Sequence, residues 1–237
     1  MNEQKIALVT GGTRGIGRET AILLAKMNFN VAICSRTQED IDTLIKDTKA
    51  MGSKGVMGRK CDVSRSSEVN AFVCEVLNIY GRIDFLINNA GIAYVKKLID
   101  TTEEEWDRTL DINLKGIFLF CKAIVPHMMT NNFGVIINVS SGAGRIGFEN
   151  ISAYCASKFG IIGLTESLGW EVTNSNIRVM TICPGEVATR MQRDVDPHYF
   201  ESNKHKILRA ETVAQKIIDM MVDDKKYRNG DSVDLPN

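Results

Sequence analysis

Short apolar runs alternate along this chain with longer stretches whose apolar residues recur at helical spacing. The short runs predict strands at Lys5 to Thr10, Val31 to Ser35, Val56 to Cys61, Ile83 to Asn88, Val135 to Ser140 and Ile177 to Cys183, with a last one at Ser232 to Leu235. The first six are close to continuously apolar, the pattern of strands covered on both faces of a parallel sheet. The longer stretches predict helices at Gly15–Met27, Gln38–Ala50, Ser66–Tyr80, Thr102–Thr130, Ala153–Asn174 and Glu211–Val222. Thr102 and Glu105 have the spacing of a capping box, and Ser64 and Ser66 stand where the third helix begins. Strands alternating with helices imply βαβ units with right-handed crossovers. The fold class expected is therefore α/β, a doubly wound parallel sheet of about seven strands with helices on both faces.

No linker, repeat or low-complexity tract divides the chain, so residues 1–237 are expected to form a single domain. The polar, poorly periodic stretch from Pro184 to about Ala210 reads as an excursion from the rim of the sheet, with its loop at about 185–210. The 237 residues are 44% apolar, enough for a full core without staples. The 29 Lys and Arg balance 29 Asp and Glu, which argues against nucleic acid as a partner. Apolar runs are far too short to span a membrane, and no signal segment precedes the first strand. Six cysteines show no CxxC and no regular spacing; Cys34, Cys74, Cys121 and Cys183 lie in apolar runs, as buried reduced thiols do. The three histidines lack metal-ligand spacing, so no metal site is expected. Together these features predict a cytoplasmic protein without membrane contact.

Chemistry concentrates at the strand ends. The first strand runs into Thr10-Gly11-Gly12-Thr13-Arg14-Gly15-Ile16-Gly17 and then a helix, the setting in which glycines let a pyrophosphate approach the backbone and rest on a helix N-terminus. An acidic residue at the end of the second strand would select a free ribose; here stand Cys34-Ser35-Arg36, with Arg14 in the glycine loop. Two guanidiniums suit a 2′-phosphate, so NADP(H) is the expected cofactor. Tyr154 and Lys158 share a helix face, where an ammonium lowers the pKa of a phenol toward the working range. Ser141 follows the fifth strand, Asn88-Asn89-Ala90-Gly91 ends the fourth, and Asn113 sits mid-helix, where a side-chain role would explain it.

This ordered set resembles the short-chain dehydrogenase/reductase family over nearly the whole chain: Thr10-Gly-x-x-x-Gly15-x-Gly17, Asp62-Val63, Asn88-Asn-Ala-Gly91, Asn113, Ser141, Tyr154-x-x-x-Lys158 and Pro184-Gly185. The resemblance implies a Rossmann-like fold and carbonyl–alcohol interconversion by hydride transfer. It implies Tyr154 as general acid and base, Ser141 bonded to the reacting oxygen, and Lys158 on the nicotinamide ribose. Asn113 would position a relay water. Gly11, Thr13, Arg14, Gly15, Ile16 and Gly17 would carry the cofactor's phosphates, with Ser35 and Arg36 at the adenosine end. Asp62 and Val63 would contact the adenine, and Asn89, Ala90 and Gly91 would support the strands beside it. Pro184, Gly185, Val187 and Thr189 would flank the nicotinamide. Relatives also pair their long helices across subunits, so a homodimer or homotetramer is expected.

By the same resemblance, loops after strands line the substrate pocket: Ala93-Tyr94, Gly142 to Asn150 and the 185–210 excursion. Tyr94, Ile146, Phe148 and Met191, with Tyr199 and Phe200, would make it apolar, fit for a medium-sized ketone, a steroid or a 3-oxoacyl thioester. Reductases of carrier-bound 3-oxoacyl groups carry basic residues that fall on Asn132 and Ser175 here, and their glycine-ending tail is replaced by Val233-Asp-Leu-Pro-Asn237. A small-molecule carbonyl reductase is the primary reading and the carrier-dependent reductase the alternative. A non-catalytic NADP(H)-binding regulator is the reading from another class; such proteins lose the Tyr or the Lys.

Overall fold

The computed structural model describes residues 4–53 and 55–237. Seven parallel strands form one sheet in the order β3-β2-β1-β4-β5-β6-β7. They are β1 Ile6–Thr10, β2 Asn30–Ser35, β3 Val56–Lys60, β4 Phe85–Asn88, β5 Gly134–Val139, β6 Ile177–Pro184 and β7 Ser232–Leu235. The direction of strand succession reverses at β1, with Val9 opposite Ile33 on one side and Ile87 on the other. In such sheets ligands bind at this switch point, beyond the carboxyl ends of the strands.

Successive side chains on a strand face opposite ways, and here both ways lead into a core. Ala7, Val9, Ile33, Ile87 and Ile137 pack beneath α1 Gly15–Lys26, α2 Gln38–Ala50 and α9 Ala210–Val222. Leu8, Ala32, Cys34, Leu86 and Ile136 pack beneath α3 Ser66–Tyr80, α5 Gly116–Thr130 and α6 Ser152–Glu171. That double cover is why the runs read as continuously apolar. The two edge strands are the exceptions: among the described residues β3 pairs with β2 alone and β7 with β6 alone, and Arg59 and Lys60 of β3 are exposed.

Thr102 caps α4 Glu103–Leu110 as expected: its hydroxyl accepts the Glu105 N–H at 3.2 Å, and the Glu105 carboxylate accepts the Thr102 N–H at 3.1 Å. The single helix expected over Thr102–Thr130 is instead α4, a π turn at Asp111–Lys115 and α5. By length and composition this composite helix could cross a membrane, but Ile117, Phe120, Ile124 and Met128 bury it against the sheet. Neither Ser64 nor Ser66 caps α3, whose N-cap is Arg65 with no side-chain bond; Ser64 donates both N–H and hydroxyl to Asp62 at 3.0 and 2.7 Å. Cys74 is exposed on α3, whereas the other five cysteines are buried; all six are unpaired. The excursion contains α7 Arg190–Val195 and α8 Pro197–Asn203, capped by Thr189 and Asp196.

Candidate active site

The loop between β1 and α1 turns in the left-handed region at Gly11 (φ +62°) and Gly15 (φ +51°), where a side chain would be strained. Asn89 holds it, its amide donating to the carbonyls of Thr10 and Gly11 at 3.0 and 3.2 Å. Thr10 replies: its hydroxyl accepts the N–H groups of Asn89 and Ala90 at 2.9 and 3.1 Å. Asn89 thus supports the strands by tying the loop of β1 to the end of β4. Gly17 lies so close that a Cβ there would strike Asn89 and the Gly11 carbonyl. Ile16 packs half-buried against the core. α1 begins with no side-chain cap and no acid in its first turn, leaving its N-terminal N–H groups for an anion. A Cβ on Gly15 would come within 3.1 Å of Thr189, so the loop after β6 faces this cradle.

At the end of β2, beside the glycine loop, Thr13 donates its hydroxyl to Ser35 at 3.0 Å. Arg36 is exposed, but Arg14 pairs with Asp40 at 2.7 Å rather than standing free. Asp62 is half-buried, and burial pushes its carboxyl up; the Ser64 bonds and the charges of Arg36 and Arg65 outweigh that and leave it lowered. Val63 is buried beside Gly116.

The residues expected to carry the chemistry gather where β4, β5 and α6 meet. Asn113, in the π turn, is fully buried and its amide makes three hydrogen bonds. It accepts the Ile92 N–H at 2.8 Å and donates to the Ile92 carbonyl at 2.9 Å and to Ser157 at 3.0 Å. Gly91 lies over Asn113 and the Lys158 ammonium. Ser141 accepts the Ala143 N–H at 3.2 Å, and its hydroxyl stands near enough to the Tyr154 phenol to favour the phenolate. Lys158 is buried, donates to the Val139 carbonyl at 2.8 Å and stands 5.4 Å from the centre of the Tyr154 ring. Burial lowers the lysine to about 8. Burial likewise raises the Tyr154 phenol, against the pull of the Ser141 hydroxyl. The expectation that Lys158 depresses Tyr154 is therefore not met here: desolvation dominates, and the ammonium is turned to Val139.

Pro184 is buried at the end of β6, and Gly185 donates its N–H to Leu235 of β7 at 2.9 Å. Val187 is buried and bridges to Leu208, while Thr189 caps α7. The residues expected to line a substrate pocket divide. Tyr94 is half-buried, and its loop is joined to the 142–150 loop by the Lys96 N–H on the Asn150 carbonyl at 2.7 Å. Ile146, Phe148 and Met191 are exposed. Tyr199 donates its hydroxyl to Glu186 at 2.7 Å, and Phe200 lines a separate cavity of about 330 Å³ with Lys204 and Ile207. Ser157, the Val139 carbonyl and Glu186 were not legible as site groups, since none belongs to a spaced motif. A groove of about 400 Å³ runs along Leu110, Leu114, Phe118, Gly160 and Leu164, between the composite helix and α6.

The family profile of short chain dehydrogenases matches residues 5–199. A 3-oxoacyl-(acyl-carrier-protein) reductase of Thermotoga maritima is 34% identical over 238 residues, covering 98% of this chain and 96% of the relative. One from Staphylococcus aureus is 38% identical over 192 residues, covering 81% and 78%. The structure of an actinorhodin polyketide ketoreductase with NADPH superposes with a TM-score of 0.94 at 30% identity, covering 100% of this chain and 97% of that one. Levodione reductase gives 0.90 at 29% identity, covering 98% and 95%.

Proposed function

This chain belongs to the short chain dehydrogenase family, and we propose that it interconverts a carbonyl and a secondary alcohol with NADP(H), using Tyr154 as general acid and base. The observation that carries this is Ser141, Tyr154 and Lys158 gathered at the end of β5, beside an open glycine cradle facing Thr189. When bound, the dinucleotide supplies or takes the hydride. Tyr154 gives its hydroxyl proton to the carbonyl oxygen in reduction and takes one in oxidation. Ser141 donates to the same oxygen and holds it against the phenol. Lys158 has three donors and spends one on Val139, leaving two for ribose hydroxyls. With the Asn113 amide committed to Ile92 and Ser157, a relay water would be held by its main-chain carbonyl in the π turn.

The cradle fits a dinucleotide: Gly11, Thr13, Gly15, Ile16 and Gly17 surround bare backbone and a free helix end, where pyrophosphate binds. Asp62 and Val63 flank the adenine, Ala90 and Gly91 continue the floor, and Pro184, Gly185, Val187 and Thr189 back the nicotinamide. For the 2′-phosphate we assign Ser35, Arg36 and Arg14, since no acid ends β2. Arg36→Asp is expected to lower the NADPH-to-NADH preference ratio by about tenfold or more, the loss of one charge-assisted bond. An unchanged ratio in steady-state kinetics would make the 2′-phosphate assignment wrong.

Free carbonyls are the preferred substrate class over carrier-bound 3-oxoacyl groups. Asn132 turns in the left-handed region (φ +46°), where Asn is tolerated and Arg is costly, and its side chain accepts the Asn176 N–H at 3.3 Å. NADPH consumption should respond to ketones, diketones and steroid ketones; turnover of the carrier thioester alone would replace this reading with the carrier-dependent one. A homodimer or homotetramer joined through the groove at Leu114, Phe118 and Leu164 completes the proposal, and Phe118 is 45% exposed there. Light scattering should give two or four times 26.3 kDa, and a monomeric mass would refute it. Six unpaired thiols support a cytoplasmic setting.

A further inference from the structure

Lys158 is gripped at two points by adjacent residues at the end of β5. Its ammonium donates to the Val139 carbonyl at 2.8 Å, and its own main-chain carbonyl accepts the Ser140 hydroxyl at 2.8 Å. A helix carbonyl already has a partner one turn on, so this second bond adds nothing the helix requires. It acts between helix and strand. Ser140 is 3% exposed, and a Cβ on Gly144 would strike both its hydroxyl and the Lys158 carbonyl, so the hydroxyl is walled in. Two residues back on the same face of the strand, Asn138 donates to Thr165 at 2.9 Å. Thr165 lies seven residues beyond Lys158, two turns along the same face of α6, and also accepts the Thr181 hydroxyl at 2.7 Å.

We propose that Ser140 is a positioning residue for Lys158, fixing the height of α6 against the strand end and with it the place of the ammonium. This rests on the function proposed above, in which Lys158 and Tyr154 work as a unit. The titratable groups facing the ammonium are Tyr154 on its own helix and Cys183 on β6. With the clamp lost, α6 is free to shift, the ammonium gains solvent, and its lowered pKa relaxes upward.

Ser140→Ala removes the bond, and Ser140→Cys keeps the volume with a much weaker donor. Both variants are expected to lose about tenfold in kcat, with a smaller rise in the KM for NADPH because the same ammonium serves the ribose, the signature of a misplaced group. The ammonium of Lys158, titrated by NMR in lysine-labelled protein and identified by its absence in Lys158→Met, should titrate at least half a unit higher in both. A cysteine variant with wild-type kcat and titration would show that Ser140 only fills space. An alanine variant with a lower Tm but an unshifted titration would show that its bond only stabilises the fold. Wild-type protein that turned over no carbonyl would defeat the proposed function, while the titration would still decide the clamp.

Discussion

Tyr154→Phe should lower kcat for carbonyl reduction by about a thousandfold while leaving the NADPH dissociation constant within about threefold. A positioned proton donor contributes roughly 10²–10⁴ in rate, and this substitution removes one oxygen and nothing else. The ring stays packed against α6, and Lys158 keeps its bond to Val139. Ser141 keeps its bond from Ala143 and its hydroxyl for the substrate oxygen, so a residual rate should persist with a flattened pH profile. Because burial raises the phenol above its ordinary value, the wild-type hydroxyl holds its proton through neutral pH, the form that reduction needs. Alcohol oxidation needs the opposite form and should accelerate as pH rises. Full activity in the variant, measured by NADPH consumption, would move the proton donor elsewhere. Loss of NADPH binding by fluorescence titration would make Tyr154 a structural part of the cradle.

Gly17→Ala should raise the KM for NADPH by at least about tenfold and lower the Tm. Helix propensity alone argues the reverse, since alanine is favoured over glycine within a helix by up to about 1 kcal/mol, although Gly17 is buried in the first turn of α1. Sterics decide against it. The new methyl would occupy the place of the Asn89 amide and the Gly11 carbonyl, and neither can retreat. Asn89 is committed to two carbonyls, and Gly11 already turns at φ +62°. Relief requires the loop to open, taking the phosphate cradle with it. A Tm above wild type with an unchanged KM would show that the loop has slack, and that the Asn89 bonds do not shape it.

The strands and helices with long apolar patterns were legible in the sequence because both sheet faces are buried; α2 and α3 begin and end where their periodicity does. β3 misled because Val56 and Met57 look like core, yet only its pairing with β2 places it at an edge. The π turn left a trace in the poor helix propensity of Asn113, but no local signal says that its partners are Ile92 and Ser157, brought from another loop and another helix. α7 and α8 are too short to show periodicity, and their caps at Thr189 and Asp196 are the signals that could have found them. The site motifs were legible as residue types at fixed spacing. The direction of the Tyr154 shift was not, because it depends on burial and on where the Lys158 ammonium points.

β1 lies between β2 and β4, so its far edge stays unpaired during synthesis until Phe85 to Ile87 have left the ribosome. At on the order of 5–20 residues per second, that is a wait of several seconds with one edge of a strand apolar from Ile6 to Val9 uncovered. The buried Asp84 carboxylate, which accepts the Ile6 N–H at 2.9 Å, arrives just ahead of that pairing and can dock the waiting strand by its first residue. The same delay sets an order of assembly: Asn89 emerges to close the phosphate cradle well before Ser141, Tyr154 and Lys158 are made. A nascent chain paused between those points would already hold the glycine loop and the Asn89 clamp that shapes it, and none of Ser141, Tyr154 and Lys158.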